Sequence, residues 1–187
     1  MRLFVALDIP ADVRAAIAAV VEKLRPTCKA ARWVRLEGAH VTLKFIGEVP
    51  VQSIEAIKTA LTTVSFPGAI QIFFRGIGFF PNERRPSVLW AGVVAGPELR
   101  ALAEAVVNSL APLGHAHEKR AFSPHVTLAR FKSPEKLEGL QAAIAAAGPL
   151  EFGSVVAGKF HLYQSVLKPG GAEYTLLASF GSLGETR

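Results

Sequence analysis

The chain is poor in sulfur: one cysteine, Cys28, and one methionine, Met1, occur among its 187 residues. A lone thiol cannot close an internal disulfide, so a cysteine-stapled scaffold is excluded and the fold must rest on an apolar core. Half of the residues are apolar, enough for such a core in one domain or in two lobes sharing a groove. Long apolar runs are missing. Charges and prolines cut each one short of the ~20 residues that a membrane-spanning helix needs. The segment Met1 to Pro10 is apolar for only a few positions before Asp8 and Pro10 interrupt it. It is expected to be neither signal peptide nor anchor, and the protein is expected in the cytoplasm. No Gly-x-x-x-x-Gly-Lys-Ser/Thr loop occurs, so ATP dependence is not indicated.

Acidic residues are also scarce. Fifteen Asp and Glu face 21 Lys and Arg, for a formal charge of +6 and a pI near 9.8. Anionic partners are favoured. The basic positions, among them Arg32, Arg35, Lys44, Arg75, Arg130 and Lys132, are spread along the chain, which suits a positive groove better than a basic tail. A metal is not expected. His115-Ala116-His117 has only Glu118 beside it and no cysteine, so a ligand set is not evident.

Periodicity predicts a strand over Leu3–Leu7 and a helix from Pro10 to about Arg25, stopped by Pro26. Strands follow at Arg32–Leu36 and His40–Ile46 around a Glu37-Gly38 turn, then a helix over about Val51–Val64. Further strands are expected at Ile70–Gly76, Ser87–Val94 and Pro124–Phe131, with helices over about Pro97–Leu110 and Pro134–Ala147. Two closing strands, around Phe160–Leu167 and Tyr174–Phe180, are joined by Lys168-Pro169-Gly170-Gly171, a hairpin turn signal. Strands and helices mix without strict alternation. The class is therefore α+β with largely antiparallel sheets flanked by helices.

Within this order one segment is echoed. His40-Val41-Thr42-Leu43 returns 85 residues later as His125-Val126-Thr127-Leu128, again a strand followed by a proline-containing loop and a helix. That spacing is too long for a solenoid repeat. Two pseudo-symmetric lobes in a single domain (1–187), each contributing one box (40–43 and 125–128) to a groove between them, are expected instead.

Alternate strand residues share a face, so each histidine lies beside its threonine, roughly 6–7 Å along the strand. Two imidazoles supply what phosphodiester cleavage requires near neutral pH, a base for the attacking water and an acid for the departing oxygen. No metal or cofactor is needed. Thr42 and Thr127 can donate hydrogen bonds to non-bridging phosphate oxygens. By the same parity Lys44 falls with His40 and Thr42 and is a substrate-binding candidate, whereas Phe45, also held as a candidate, falls on the core side, where packing is favoured over stacking on a base. Arg130 falls away from Thr127 unless a bulge re-aims it, and is held as a substrate-binding candidate. Trp33, Trp90 and Phe79 read as core or groove wall, and His161 as packing.

At this point the sequence resembles the two-histidine (2H) phosphoesterase superfamily, and within it the RNA 2′,3′-cyclic phosphodiesterases long called 2′-5′ RNA ligases. The likeness runs from Arg2-Leu3-Phe4-Val5-Ala6-Leu7-Asp8-Ile9-Pro10 through His40 to Glu48, Gly78-Phe79-Phe80-Pro81 and Pro86 to Gly92. It continues in Phe122-Ser123-Pro124-His125-Val126-Thr127-Leu128-Ala129-Arg130, Tyr163-Gln164-Ser165 and Gly170 to Thr175. The resemblance implies a bilobal fold and opening of a terminal 2′,3′-cyclic phosphate to a 2′-phosphate. It implies His40 as proton donor and His125 as proton acceptor, a division that the nearly symmetric boxes do not themselves decide. RNA or a nucleotide with a cyclic phosphate end is the expected partner, and a monomer is expected. Two other readings stay open: 2′-5′ ligation of cyclic phosphate and 5′-hydroxyl ends, and a non-catalytic RNA or nucleotide binder.

Overall fold

The computed structural model describes residues 1–115, 121–132, 137–169 and 171–181. Strand β1 (Arg2–Asp8) buries Leu3 to Leu7 on both faces, as a strand with neighbours on either side must. It runs between β3 (His40–Glu48) and β8 (Phe160–Lys168), and β8 pairs onward with β9 (Gly171–Phe180). The second sheet has the order β2 (Arg32–Trp33), β6 (His125–Arg130), β5 (Val88–Ala95), β4 (Ile70–Phe80), β7 (Glu151–Ala157). Every pairing is antiparallel. Each sheet holds one of the two boxes, and the α+β class expected from the sequence stands.

The two sheets are copies in order. Reading from the box strand, β3-β1-β8-β9 matches β6-β5-β4-β7, with β2 added outside β6. The lobes are nevertheless not the two halves of the chain, because β2 and β4 join the second sheet while β8 and β9 return to the first. Helices cross over as well. Helix α1 (Ala11–Leu24) leaves β1 and packs on β7 of the other sheet through Val13, Ile17, Val21 and Leu24, one stripe of its surface. Helix α3 (Pro97–Leu110) leaves β5 and packs on β3 and on α2 (Ile54–Thr62). Helix α4 (Glu138–Ala147) buries Leu140 and lies near α1. These exchanges make one interlocked core, with Phe74 and Phe160 among its largest fully buried side chains.

Several boundaries differ from expectation for local reasons. The strand expected over Arg32–Leu36 keeps ladder pairing only at Arg32–Trp33, after which Val34 N–H donates to the Leu128 carbonyl and a 3-10 turn takes Leu36–Gly38. Val51–Ser53 is likewise a 3-10 turn before α2. Strand β4 runs on to Phe80, and the closing strands extend to Lys168 and start at Gly171. The expected helix start at Pro134, and Gly170 of the hairpin turn, lie outside the described residues. Strand β7 has no signal in the sequence pattern. Its Glu-Phe-Gly-Ser-Val-Val-Ala does not alternate, and Gly153 sits at φ +116° opposite Phe74.

Gly92 has a positional role. A Cβ there would run into the backbone carbonyl oxygen of Arg75, where β4 bulges against β5. Gly92→Ala is expected to destabilise the fold by ~1–3 kcal/mol through this overpacking, read as a lowered urea midpoint. Gly78→Ala, whose Cβ would meet the Trp90 side chain and not backbone, should cost less.

Candidate active site

Both boxes contain the same irregularity. In the first ladder Asp8 faces His40, Leu7 faces Val41 and Ala6 faces Thr42; then Val5 faces Lys44 and Phe4 faces Phe45, so Leu43 has no partner. In the second, Gly92 faces His125, Ala91 faces Val126 and Trp90 faces Thr127, after which Leu89 faces Ala129 and Val88 faces Arg130, so Leu128 is skipped. The fourth residue of each box is thus a bulge, and side-chain parity inverts beyond it.

The bulges correct three parity expectations. Lys44 does not share a face with His40 and Thr42. It pairs with Val5 and is buried, 5 % exposed, as is its counterpart Ala129. Phe45 does not lie on the core side. It joins the face of Thr42 and is 48 % exposed, with its ring 6.2 Å from that of Phe4. Arg130 is re-aimed onto the face of His125 and Thr127, where its charge acts on His125. Phe45 and Arg130 are therefore equivalent positions in the two lobes.

Each histidine is anchored alike. His40 Nδ1 is 2.7 Å from the Gly38 carbonyl and His125 Nδ1 is 2.8 Å from the Ser123 carbonyl, two residues back in both cases. A carbonyl only accepts, so Nδ1 carries the proton and the Nε2 of each neutral ring has a free lone pair. His40 stacks on Phe4, with centroids 4.5 Å apart, and meets Tyr174 edge-on at 5.1 Å. His125 meets Phe80 edge-on at 4.9 Å. Among the described residues neither Thr42 nor Thr127 spends its hydroxyl on a hydrogen bond, and both side chains are half-buried.

Burial lowers the pKa of both histidines, and the carbonyl bonds oppose this. Their other charged neighbours differ. Asp8 favours the imidazolium of His40, whereas Arg130 disfavours that of His125; a charge on His125 also disfavours one on His40. The two rings thus lie within electrostatic reach of each other, as strands β3 and β6 are in contact.

A hollow of about 190 Å³ opens beside His40, lined by Phe4, Asp8, Arg14, Glu37, Tyr163 and Tyr174. Sequence reading missed Asp8, Phe4, Phe80 and Tyr174 as site residues. Strand register brings Asp8 to His40, and ring contacts between segments far apart in the chain bring the others, neither of which a local pattern reveals. Tyr163 is brought there too, its hydroxyl donating to Asp8 Oδ1 at 2.6 Å, while Ser165 sits further out opposite Arg2. His161 is buried next to Asp8, Trp90 pairs across from Thr127, Phe79 is core, and Trp33 pairs with Ala129 of the second box strand, under the Arg25 guanidinium. Of His115-Ala116-His117 only His115 falls among the described residues. Among these no three His, Cys, Asp or Glu side chains gather as a metal site would require, and no helix is long and apolar enough to cross a membrane.

The same architecture is found in proteins already known. The sequence model of the 2′-5′ RNA ligase superfamily matches residues 10–166. A protein of Archaeoglobus fulgidus named RNA 2′,3′-cyclic phosphodiesterase is 34% identical, across 96% of this chain and 99% of its own. One of the same name from Thermotoga maritima is 35% identical, across 95% and 93%. Among solved structures, TT0787 of Thermus thermophilus superposes with a TM-score of 0.80 at 33% identity, covering 99% of this chain and 100% of that one. E. coli LigT complexed with 3′-AMP also gives 0.80, at 28% identity over 97% and 98%. With both boxes intact on matching strands, the chain belongs to the 2′-5′ RNA ligase superfamily, the two-histidine phosphoesterases.

Proposed function

We infer that the protein is an RNA 2′,3′-cyclic phosphodiesterase, a hydrolase that opens a terminal cyclic phosphate to a 2′-phosphate. The observation that carries the reading is the paired anchoring of the histidines, each with Nδ1 tied to a carbonyl and Nε2 left for chemistry. In the assigned mechanism His125 Nε2 takes a proton from water as its oxygen bonds to phosphorus. The P–O3′ bond breaks on the far side, and His40 Nε2–H delivers a proton to O3′. The Thr42 and Thr127 hydroxyls, free of other bonds, donate to the non-bridging oxygens. Arg130 adds positive charge for the phosphate, and Phe45 offers an exposed ring beside the site for a base to stack on. Buried Lys44, on the opposite face, is left out of the first contacts. The substrate in this reading is an RNA end.

The test is turnover of an oligonucleotide ending in a 2′,3′-cyclic phosphate, with excess chelator present. The expected product is the 2′-phosphate at a rate that chelator does not change. A 3′-phosphate product, or binding without turnover, would refute the reading. An added 5′-hydroxyl RNA in excess reports the reverse direction as a 2′-5′ linkage.

A further inference from the structure

Two imidazoles with the same carbonyl anchor and the same tautomer are chemically interchangeable, yet the reaction needs one protonated and the other neutral at the same moment. In a symmetric pair half of the singly protonated molecules would hold the proton on the wrong ring. We propose that Asp8 is the positioning residue that breaks this tie, keeping the proton on His40 and so making His40 the acid. The proposal rests on the assignment of His40 as proton donor given above.

The register carries the argument. The two box ladders agree pair for pair, and across from the histidines one has Asp8 where the other has Gly92. The second lobe cannot hold a carboxylate there, because the Arg75 carbonyl fills the space that a side chain on Gly92 would enter. The carboxylate is also held in place. Tyr163 donates its hydroxyl to Oδ1 at 2.6 Å, and His161 Nε2 lies 3.5 Å from Oδ2 while its Nδ1 meets the Ser179 hydroxyl at 2.8 Å. Burial and the bond to Asp8 push the Tyr163 hydroxyl pKa far up, so it remains a donor. His161 is buried and its pKa lowered by that burial, so Asp8 is not neutralised by a fixed cation there.

The remaining groups around His40 do not replace Asp8. His125 opposes a second positive charge, and burial raises the pKa of the Tyr174 hydroxyl, with the charges of Arg130 and Arg2 acting the other way. Across the hollow, Glu37 is exposed, and Arg14 donates to the Glu37 and Ile9 carbonyls at 2.8 and 3.4 Å. On the second lobe the nearby charge is Arg130, which favours neutral His125. Burial, the largest effect on both rings, disfavours a charge on either, and within that the two unequal neighbours act in the same sense. The Asp8 side chain is 59 % exposed, so water screens it and its effect is several-fold in rate, not thousand-fold.

Asp8→Asn tests this, since the amide keeps an acceptor for Tyr163 and loses the charge. Histidine ring resonances followed by NMR should show the His40 titration midpoint moving to lower pH and that of His125 moving much less. On a cyclic-phosphate RNA kcat should fall ~3–10-fold at neutral pH. On a p-nitrophenyl phosphodiester, whose leaving group needs no proton, it should fall much less. Tyr163→Phe removes the hydrogen bond but keeps the charge, and should leave the His40 midpoint near its wild-type value; a purely structural role would make the two variants alike. An unmoved His40 midpoint in Asp8→Asn, or equal losses on both substrates, overturns the proposal. The donor assignment is checked apart from it, with His40→Ala: if that variant loses the aryl substrate as severely as the RNA, the assignment fails and the positioning role of Asp8 falls with it.

Discussion

Replacement of either His40 or His125 by alanine is expected to lower kcat on a cyclic-phosphate RNA end by ~10²–10⁴-fold, the range of a positioned general acid or base. The double replacement should cost little more than the worse single one, because both rings serve one transition state and the second loses its partner when the first is gone. Neither ring is expected to be needed for folding. Among the described residues His125 makes one ring contact, to Phe80, and one side-chain hydrogen bond, to a carbonyl, and His40 lies on Phe4 and Tyr174, so thermal midpoints should stay close to wild type. The two single variants should then part on an aryl phosphodiester. With a leaving group that departs unprotonated, loss of the acid is largely forgiven and loss of the base is not. His40→Ala should recover most of its deficit there, and His125→Ala should recover none. Wild-type rates from both folded variants would remove the two-histidine mechanism altogether.

The chemistry was legible in the sequence because it is written twice. One His-x-Thr on a strand reads as packing, but its repetition 85 residues on, before a loop and helix, marks a pair of equivalent sites. Geometry around the boxes was harder to read. Strict alternation put Lys44 in the groove and Phe45 in the core, and the structure has them the other way round. The reason is a bulge at Leu43, repeated at Leu128, and a leucine in a strand looks the same whether or not it has a partner. The architecture was legible as α+β, but the exchange of β4 and β8 between lobes depends on contacts far apart in the chain. Asp8 shows the limit most plainly. In sequence it only ends a strand before a proline; opposite His40 it is a carboxylate where the matching position of the second lobe is Gly92.

Loss of the threonine hydroxyls should separate activity from stability. Thr42→Val and Thr127→Val keep the side-chain outline and the β-branched form that strands favour. Each removes one donor aimed at the phosphate. Positioned donors of this kind are worth ~2.7–4 kcal/mol in the transition state, so each variant is expected to lose ~10²–10³-fold in kcat, with a smaller change in KM. Stability should follow the opposite course. Neither hydroxyl has a hydrogen-bond partner among the described residues, so its removal orphans no buried group and adds apolar surface to a half-buried position. The thermal midpoint should therefore hold or rise slightly while catalysis collapses. Rates within threefold of wild type for both would mean that the hydroxyls do not meet the phosphate, and the charge that builds up in the transition state would then fall to Arg130 and the imidazoles.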